Sequence, residues 1–87
     1  MPIYVLKESF MNGTVTMGTD VSGVSARTFK SACKRVEQKL EGILTENSHQ
    51  KLIFLETSES KMTFKMEADD SGLPVVGMMD SKPLAML

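Results

Sequence analysis

The sequence predicts an α+β domain of two layers, an antiparallel sheet of two hairpins with one helix packed on one face. Three observations predict it: an Asn-Gly pair between two strand-like runs, an apolar stripe at helical spacing, and a second pair of strand-like runs. The 87 residues suffice for one domain with a small core. We therefore expect a single ββαββ domain over residues 1–72, followed by an apolar, methionine-rich C-terminal segment over residues 73–87.

The first hairpin is predicted at Asn12-Gly13, because both positions of a type I′ turn tolerate positive φ. Residues 3–11 and 14–19 flank this pair as strands. A two-residue loop leaves no slack in the pairing, so the register follows from the turn. The alternation of side chains then places five residues on the core side of the sheet, namely Tyr4, Leu6, Phe10, Val15 and Met17.

The helix is predicted to follow Ser25, whose hydroxyl can cap a helix start, with Val24 packing on Phe29. Apolar residues then recur at spacings of three and four, which confines them to one stripe. The stripe consists of Phe29, Ala32, Cys33, Val36, Leu40, Ile43 and Leu44. Because Cys33 lies within it, we expect a buried thiol that packs in the core and does not act as a nucleophile.

The second hairpin is predicted over residues 51–57 and 61–67, joined by a short turn. The earlier strand is apolar on both faces, which is typical of a strand in a sheet that is covered on both sides. One helix covers only one sheet face, so the other face needs a second cover. We assign that back face, and a dimer contact through it, to Ile3, Val5, Ile53 and Leu55.

The C-terminal segment is one candidate for that cover. Pro74 lacks an N–H group, so the run over residues 75–78 is expected to be a short edge strand at most. Either the segment docks on its own sheet, or a second copy of the protein covers the sheet in a homodimer. With a homodimer, the segment would be free to bind another protein. In the latter case the partner-binding residues would be Met78, Met79, Leu84 and Met86.

Catalytic and metal-binding motifs are not found. One cysteine and one histidine give no internal disulfide and too few ligands for a zinc site, and no phosphate-binding glycine motif occurs. We therefore expect no enzyme activity, no metal and no cofactor. Neither a basic leader nor an apolar run of about 18 residues is present, so we expect a cytoplasmic protein that does not bind membranes.

Basic residues cluster in the first half of the predicted helix, at Arg27, Lys30 and Lys34. Acidic residues follow in the second half, and this order opposes the helix dipole, which favours acids first. The cluster therefore suggests an anion site for nucleic acid or a phosphoryl ligand. The formal net charge of −1 supplies no general attraction to such a ligand, so binding would depend on this local patch.

Two functional hypotheses follow. The favoured one is a small non-catalytic protein-binding module, an inhibitor or adaptor of a larger partner, that acts through its back sheet face and C-terminal segment. The alternative is nucleic-acid or phosphoryl-ligand binding through the basic helix face. Small size and the lack of catalytic motifs are also typical of phage accessory proteins, which makes a viral origin an expectation of the first hypothesis.

Overall fold

A computed structural model describes residues 1–68 and 72–86, with the backbone alone for residues 85 and 86. This part of the chain forms one helix and six strands: β1 (Pro2–Asn12), β2 (Val15–Ser25), α1 (Phe29–Glu46), β3 (Gln50–Thr57), β4 (Lys61–Ala68), β5 (Val75–Asp80) and β6 (Ala85–Met86). All strand pairs are antiparallel, in the order β2-β1-β5-β4-β3, and β6 also pairs with β1. The predicted two-layer α+β fold with a fifth strand is confirmed.

The fifth strand lies in the centre of the sheet, between the two hairpins. Gly77 of β5 faces Glu8 of β1 on one side and Phe64 of β4 on the other. The expected edge position of this strand, inferred from Pro74, is wrong. Pro74 immediately precedes the first strand residue, where its missing N–H interrupts no ladder, and its carbonyl accepts a hydrogen bond from the Met11 N–H at 2.8 Å.

The first hairpin has a different register from the predicted one. Asn12 pairs with Val15, so Gly13 and Thr14 form the turn, and only Gly13 has a positive φ, of 62°. A bulge then leaves Met17 without a partner, because Met11 pairs with Thr16 while Phe10 pairs with Gly18. Val15 therefore lies opposite Asn12 at the end of the hairpin, and Met17 lies in the bulge, so neither belongs to the core as predicted. Each is 58% exposed.

The helix begins at Phe29, after the N-cap residue Thr28. The Thr28 hydroxyl accepts a hydrogen bond from the Ser31 N–H at 3.1 Å, which satisfies one N–H of the first turn. Ser25 is not the cap, because it is still paired with Ile3 in the β1–β2 ladder. The predicted apolar stripe is confirmed: its members are all buried or packed against the core.

The core lies between α1 and one face of the sheet. Buried residues from β1, β4 and β5 meet the helix stripe there, and the largest fully buried side chains are Phe64, Leu6, Met62 and Met79. A bulge in β3 between Leu52 and Phe54 changes the alternation of that strand, so that Leu52 and Leu55 both pack against the core. The predicted back-face position of Leu55 is therefore wrong.

Gly77 lies directly beneath the ring of Phe64, and replacing it tests the central position of β5. A Cβ atom at residue 77 would overlap the ring of Phe64, which is only 1% exposed and has no room to turn away. We expect Gly77→Ala to lower the free energy of unfolding by about 2–3 kcal/mol, as overpacked cores do. Urea denaturation followed by circular dichroism measures the change.

The adjacent variant Met78→Ala is the matched control, because Met78 is 46% exposed. It should change the free energy of unfolding by about 0.5 kcal/mol or less. Equal losses in the two variants would contradict the tight packing of Gly77 beneath Phe64.

Candidate functional site

The sheet has one face that no element of the described chain covers. Residues that lie directly opposite one another in neighbouring strands point to the same side of a sheet. On the side away from α1, the middle row across the five strands consists of Val21, Lys7, Met78, Thr63 and Glu56. The next row consists of Thr19, Ser9, Val76, Lys65 and Phe54. We call these two rows, together with Val5, the open face.

The open face is apolar at several strands. Val21 of β2 is 65% exposed, Met78 of β5 is 46% exposed and Phe54 of β3 is 38% exposed. Val5 and Val76 are half-buried between them. Single exposed apolar side chains are common on protein surfaces, but a set distributed over neighbouring strands of one face indicates a binding surface.

Lys7 lies in the middle of this apolar row. Its partners in the two ladders are Val21 and Met78, and it is exposed. Lys65, by contrast, makes an ion pair with Glu67 at 3.4 Å. Among the described residues no carboxylate lies within ion-pair distance of Lys7. The open face therefore offers an available cation surrounded by apolar side chains.

The other predicted back-face residues are placed as follows. Ile3 and Val5 lie on the uncovered side and are half-buried. Ile53 lies in the β3 bulge at the sheet edge and is 48% exposed. Leu55 faces the helix. The sequence reasoning missed Val21, Phe54 and Val76. Val21 could have been identified if the second strand had been predicted at its full length, because alternation along the longer strand places its side chain on the uncovered face.

The C-terminal segment is part of the sheet. Met79 is fully buried, so its predicted role in partner binding is wrong, whereas Met78 belongs to the open face. Leu84 is 76% exposed in the connection between β5 and β6. Met86 pairs with Pro2 through its backbone, and its side chain lies outside the described residues. Residues 73–86 of the segment therefore enter the sheet as β5 and β6 and do not fold across the open face.

The predicted basic cluster does not form one patch. Lys30 and Lys34 line a groove of about 610 Å³ between α1 and the β3–β4 turn, and Glu37 and Glu59 line the same groove. Arg27 lines a separate depression with Arg35, a base that the sequence reasoning did not include. All these basic side chains are exposed. Carboxylates therefore share the groove of Lys30 and Lys34, and neither depression holds all three predicted bases.

Cys33 lies against the same groove but is only 3% exposed. Burial raises the pKa of its thiol, and the nearby carboxylate of Glu37 raises it further. The thiol is therefore neutral at physiological pH. This agrees with the predicted packing role of Cys33, since the thiolate is the reactive form of cysteine.

The raised pKa of Cys33 has a consequence for stability at alkaline pH. An unfolded thiol loses its proton near its ordinary pKa of 9.0, while the folded one keeps its proton to higher pH. The contribution of the neutral thiol to the free energy of unfolding is thus fully present below pH 9.0, and it is lost as the pH rises through the pKa of Cys33 in the folded protein. Between the two pKa values we expect a loss of up to about 1.4 kcal/mol per pH unit.

Urea denaturation of the native protein and of Cys33→Ala at neutral and alkaline pH measures this loss. The variant should lose less stability over the same pH interval, since other groups ionise equally in both proteins. Parallel pH dependences would contradict the assignment to Cys33.

The described residues do not form a metal-binding group. In residues 1–68 and 72–86, no three His, Cys, Asp or Glu side chains group as metal ligands. No helix in that part of the chain has the length and apolarity needed to cross a membrane. The chain matches no protein-family model, no curated protein and no solved structure.

Proposed function

We propose that the protein is a non-catalytic protein-binding domain, an inhibitor or adaptor of a larger partner, and that the open face is its binding surface. The observation that carries the proposal is the exposure of Val21, Met78 and Phe54, on three different strands, on the sheet face opposite α1. Burial of such side chains by a partner removes apolar area from water and favours association.

The size of the face suits a protein partner. The molecule measures 40 × 28 × 20 Å, and in a two-layer domain the layers stack along the short dimension. The open face is thus one broad side of the molecule, large enough for the roughly 800 Å² that each partner contributes to a standard interface. A small ligand needs a concave site. The groove of about 610 Å³ lies between α1 and the β3–β4 turn, away from the open face.

The charges of the face specify the partner further. In the middle row, Lys7 lies between the apolar residues Val21 and Met78. Burying that ammonium group without a counter-charge would be costly, so the partner should present a carboxylate opposite it. We therefore expect a partner surface with an apolar centre and an Asp or Glu side chain within it.

The competing hypothesis, nucleic-acid or phosphoryl-ligand binding, has less support. Lys30 and Lys34 share their groove with two glutamates, and Arg27 lies in a different depression.

A cytoplasmic location remains part of our proposal, since the single cysteine is a buried free thiol. The proposed protein-binding function does not depend on a viral origin.

Substitutions on the open face test the proposal. The immobilised protein is used to capture partners from a lysate of its source cells, and affinity for the captured protein is then measured with purified components. We expect Met78→Lys and Lys7→Glu each to weaken binding at least about tenfold, which is ~1.4 kcal/mol. Lys7→Arg should retain binding, because it keeps the cation opposite the partner's carboxylate.

Leu84→Lys is the matched control, since Leu84 is a more exposed apolar residue outside the open face. It should leave binding unchanged. Binding that survives Met78→Lys but is lost in Lys30→Glu and Lys34→Glu would contradict the proposal and favour the groove. Capture of nothing except further copies of this chain would also contradict it.

A further inference from the structure

We propose that β2 pairs with β2 of a second copy of this chain, in antiparallel orientation, to form a closed dimer. β2 is the outermost strand on its side of the sheet and is 11 residues long. Nearly all of its residues are exposed, including the apolar Val15, Met17 and Val21. It contains one charged residue, Asp20, and neither lysine nor proline. Edge strands that stay single are normally short, charged or interrupted. In β2 these features are limited to Asp20 and the bulge at Met17, which leaves residues 18–25 as an unbroken edge.

The backbone groups that point outward from β2 can be assigned. The Ala26 N–H donates to the Pro2 carbonyl at 3.2 Å, which fixes the hydrogen-bonded positions at this end of the β1–β2 ladder. Hydrogen-bonded pairs alternate along an antiparallel ladder, so every second residue directs its N–H and C=O away from the partner strand. The outward residues are Thr19, Val21, Gly23 and Ser25. These four residues are the ones that can pair with another strand.

The opposite edge of the sheet is protected, which limits what β2 can pair with. β3 has a bulge between Leu52 and Phe54 and carries Lys51 and Glu56. Pairing of β2 with β3 of another copy would also repeat without end and build a filament. Pairing of β2 with β2 uses the same surface twice, so it closes after two copies.

Charge selects the register of the pair. The register of greatest overlap is centred on Asp20 and would place the two Asp20 side chains opposite each other, which is unfavourable. A register centred on Val21 instead sets Asp20 opposite Ser22 and Thr19 opposite Gly23, and it keeps the outward groups aligned. It also lies away from the bulge at Met17. We assign the dimer to this register.

The dimer would have a functional consequence. Antiparallel pairing of two edges places the twofold axis perpendicular to the sheet, so both open faces lie on the same side. The two five-strand paths then form one continuous sheet with two copies of the binding surface next to each other. A partner with two equivalent sites would bind such a dimer more tightly than a monomer.

The mass of the full chain in solution tests the dimer, measured by sedimentation equilibrium across the micromolar range. We expect a mass approaching twice the 9.6 kDa of one chain, without larger species. Val21→Lys should raise the dissociation constant at least about tenfold, because it places two lysines opposite each other at the axis. Val21 is 65% exposed, so this change should leave the fold intact. Leu84→Lys is the control and should dimerise like the native protein.

Amide hydrogen exchange gives an independent readout. In the dimer the outward amides of Thr19, Val21 and Gly23 should be protected, and dilution or Val21→Lys should expose them. A monomeric mass throughout the range would overturn the inference, as would a dimer that Val21→Lys leaves unchanged. A mass that grows without limit with concentration would also overturn it, because that indicates head-to-tail pairing.

Discussion

The fifth strand joins two hairpins that do not pair with each other in the described part of the chain. β5 makes ladders with β1 on one side and with β4 on the other. A single hairpin is marginally stable in water, and a sheet of several strands with one apolar face is far more stable. Met79 of β5 is fully buried, and Gly77 leaves the room that the Phe64 ring occupies. The helix stripe thus packs on a surface to which β5 contributes Met79 and Val75.

This arrangement also explains why one sheet face is left uncovered. The described part of the chain has one helix, and its apolar stripe packs on one side of the sheet. The opposite side has mixed character: Val21, Met78 and Phe54 are exposed among lysines and threonines. That composition keeps the face compatible with water when it is unoccupied, and it still provides apolar area to a partner.

Local features of the fold could be predicted from the sequence, and non-local ones could not. The helix stripe and the second hairpin depend on spacing within short segments, and both were predicted correctly. The place of β5 in the sheet depends on which strands it pairs with. Its edge position was predicted from the missing N–H of Pro74, which carries no information about those partner strands. The two bulges shift side chains from one face to the other, which moved Met17 out of the core and Leu55 into it. An extra residue in a ladder has no reliable sequence signature, so the open face could be predicted only in part.

The site was predicted with the same limits. Val5 was assigned to the back face from the alternation of side chains in β1, and it lies on the uncovered side. Met78 was assigned as part of an apolar C-terminal segment, and it lies on the open face because it pairs with Lys7. Met79 was assigned wrongly, since a free apolar tail and a central strand have similar compositions. Arg27, Lys30 and Lys34 were grouped by their spacing on one helix, but their surroundings include Glu59 from a distant turn.

The central claim, that β5 couples the two hairpins and so leaves one face of a single sheet open, is tested most directly by interstrand nuclear Overhauser effects between backbone protons. We predict contacts from Val76 and Met78 of β5 to β1 on one side and to β4 on the other. Direct backbone contacts between β1 and β4, with β5 at an edge or unpaired, would contradict the account.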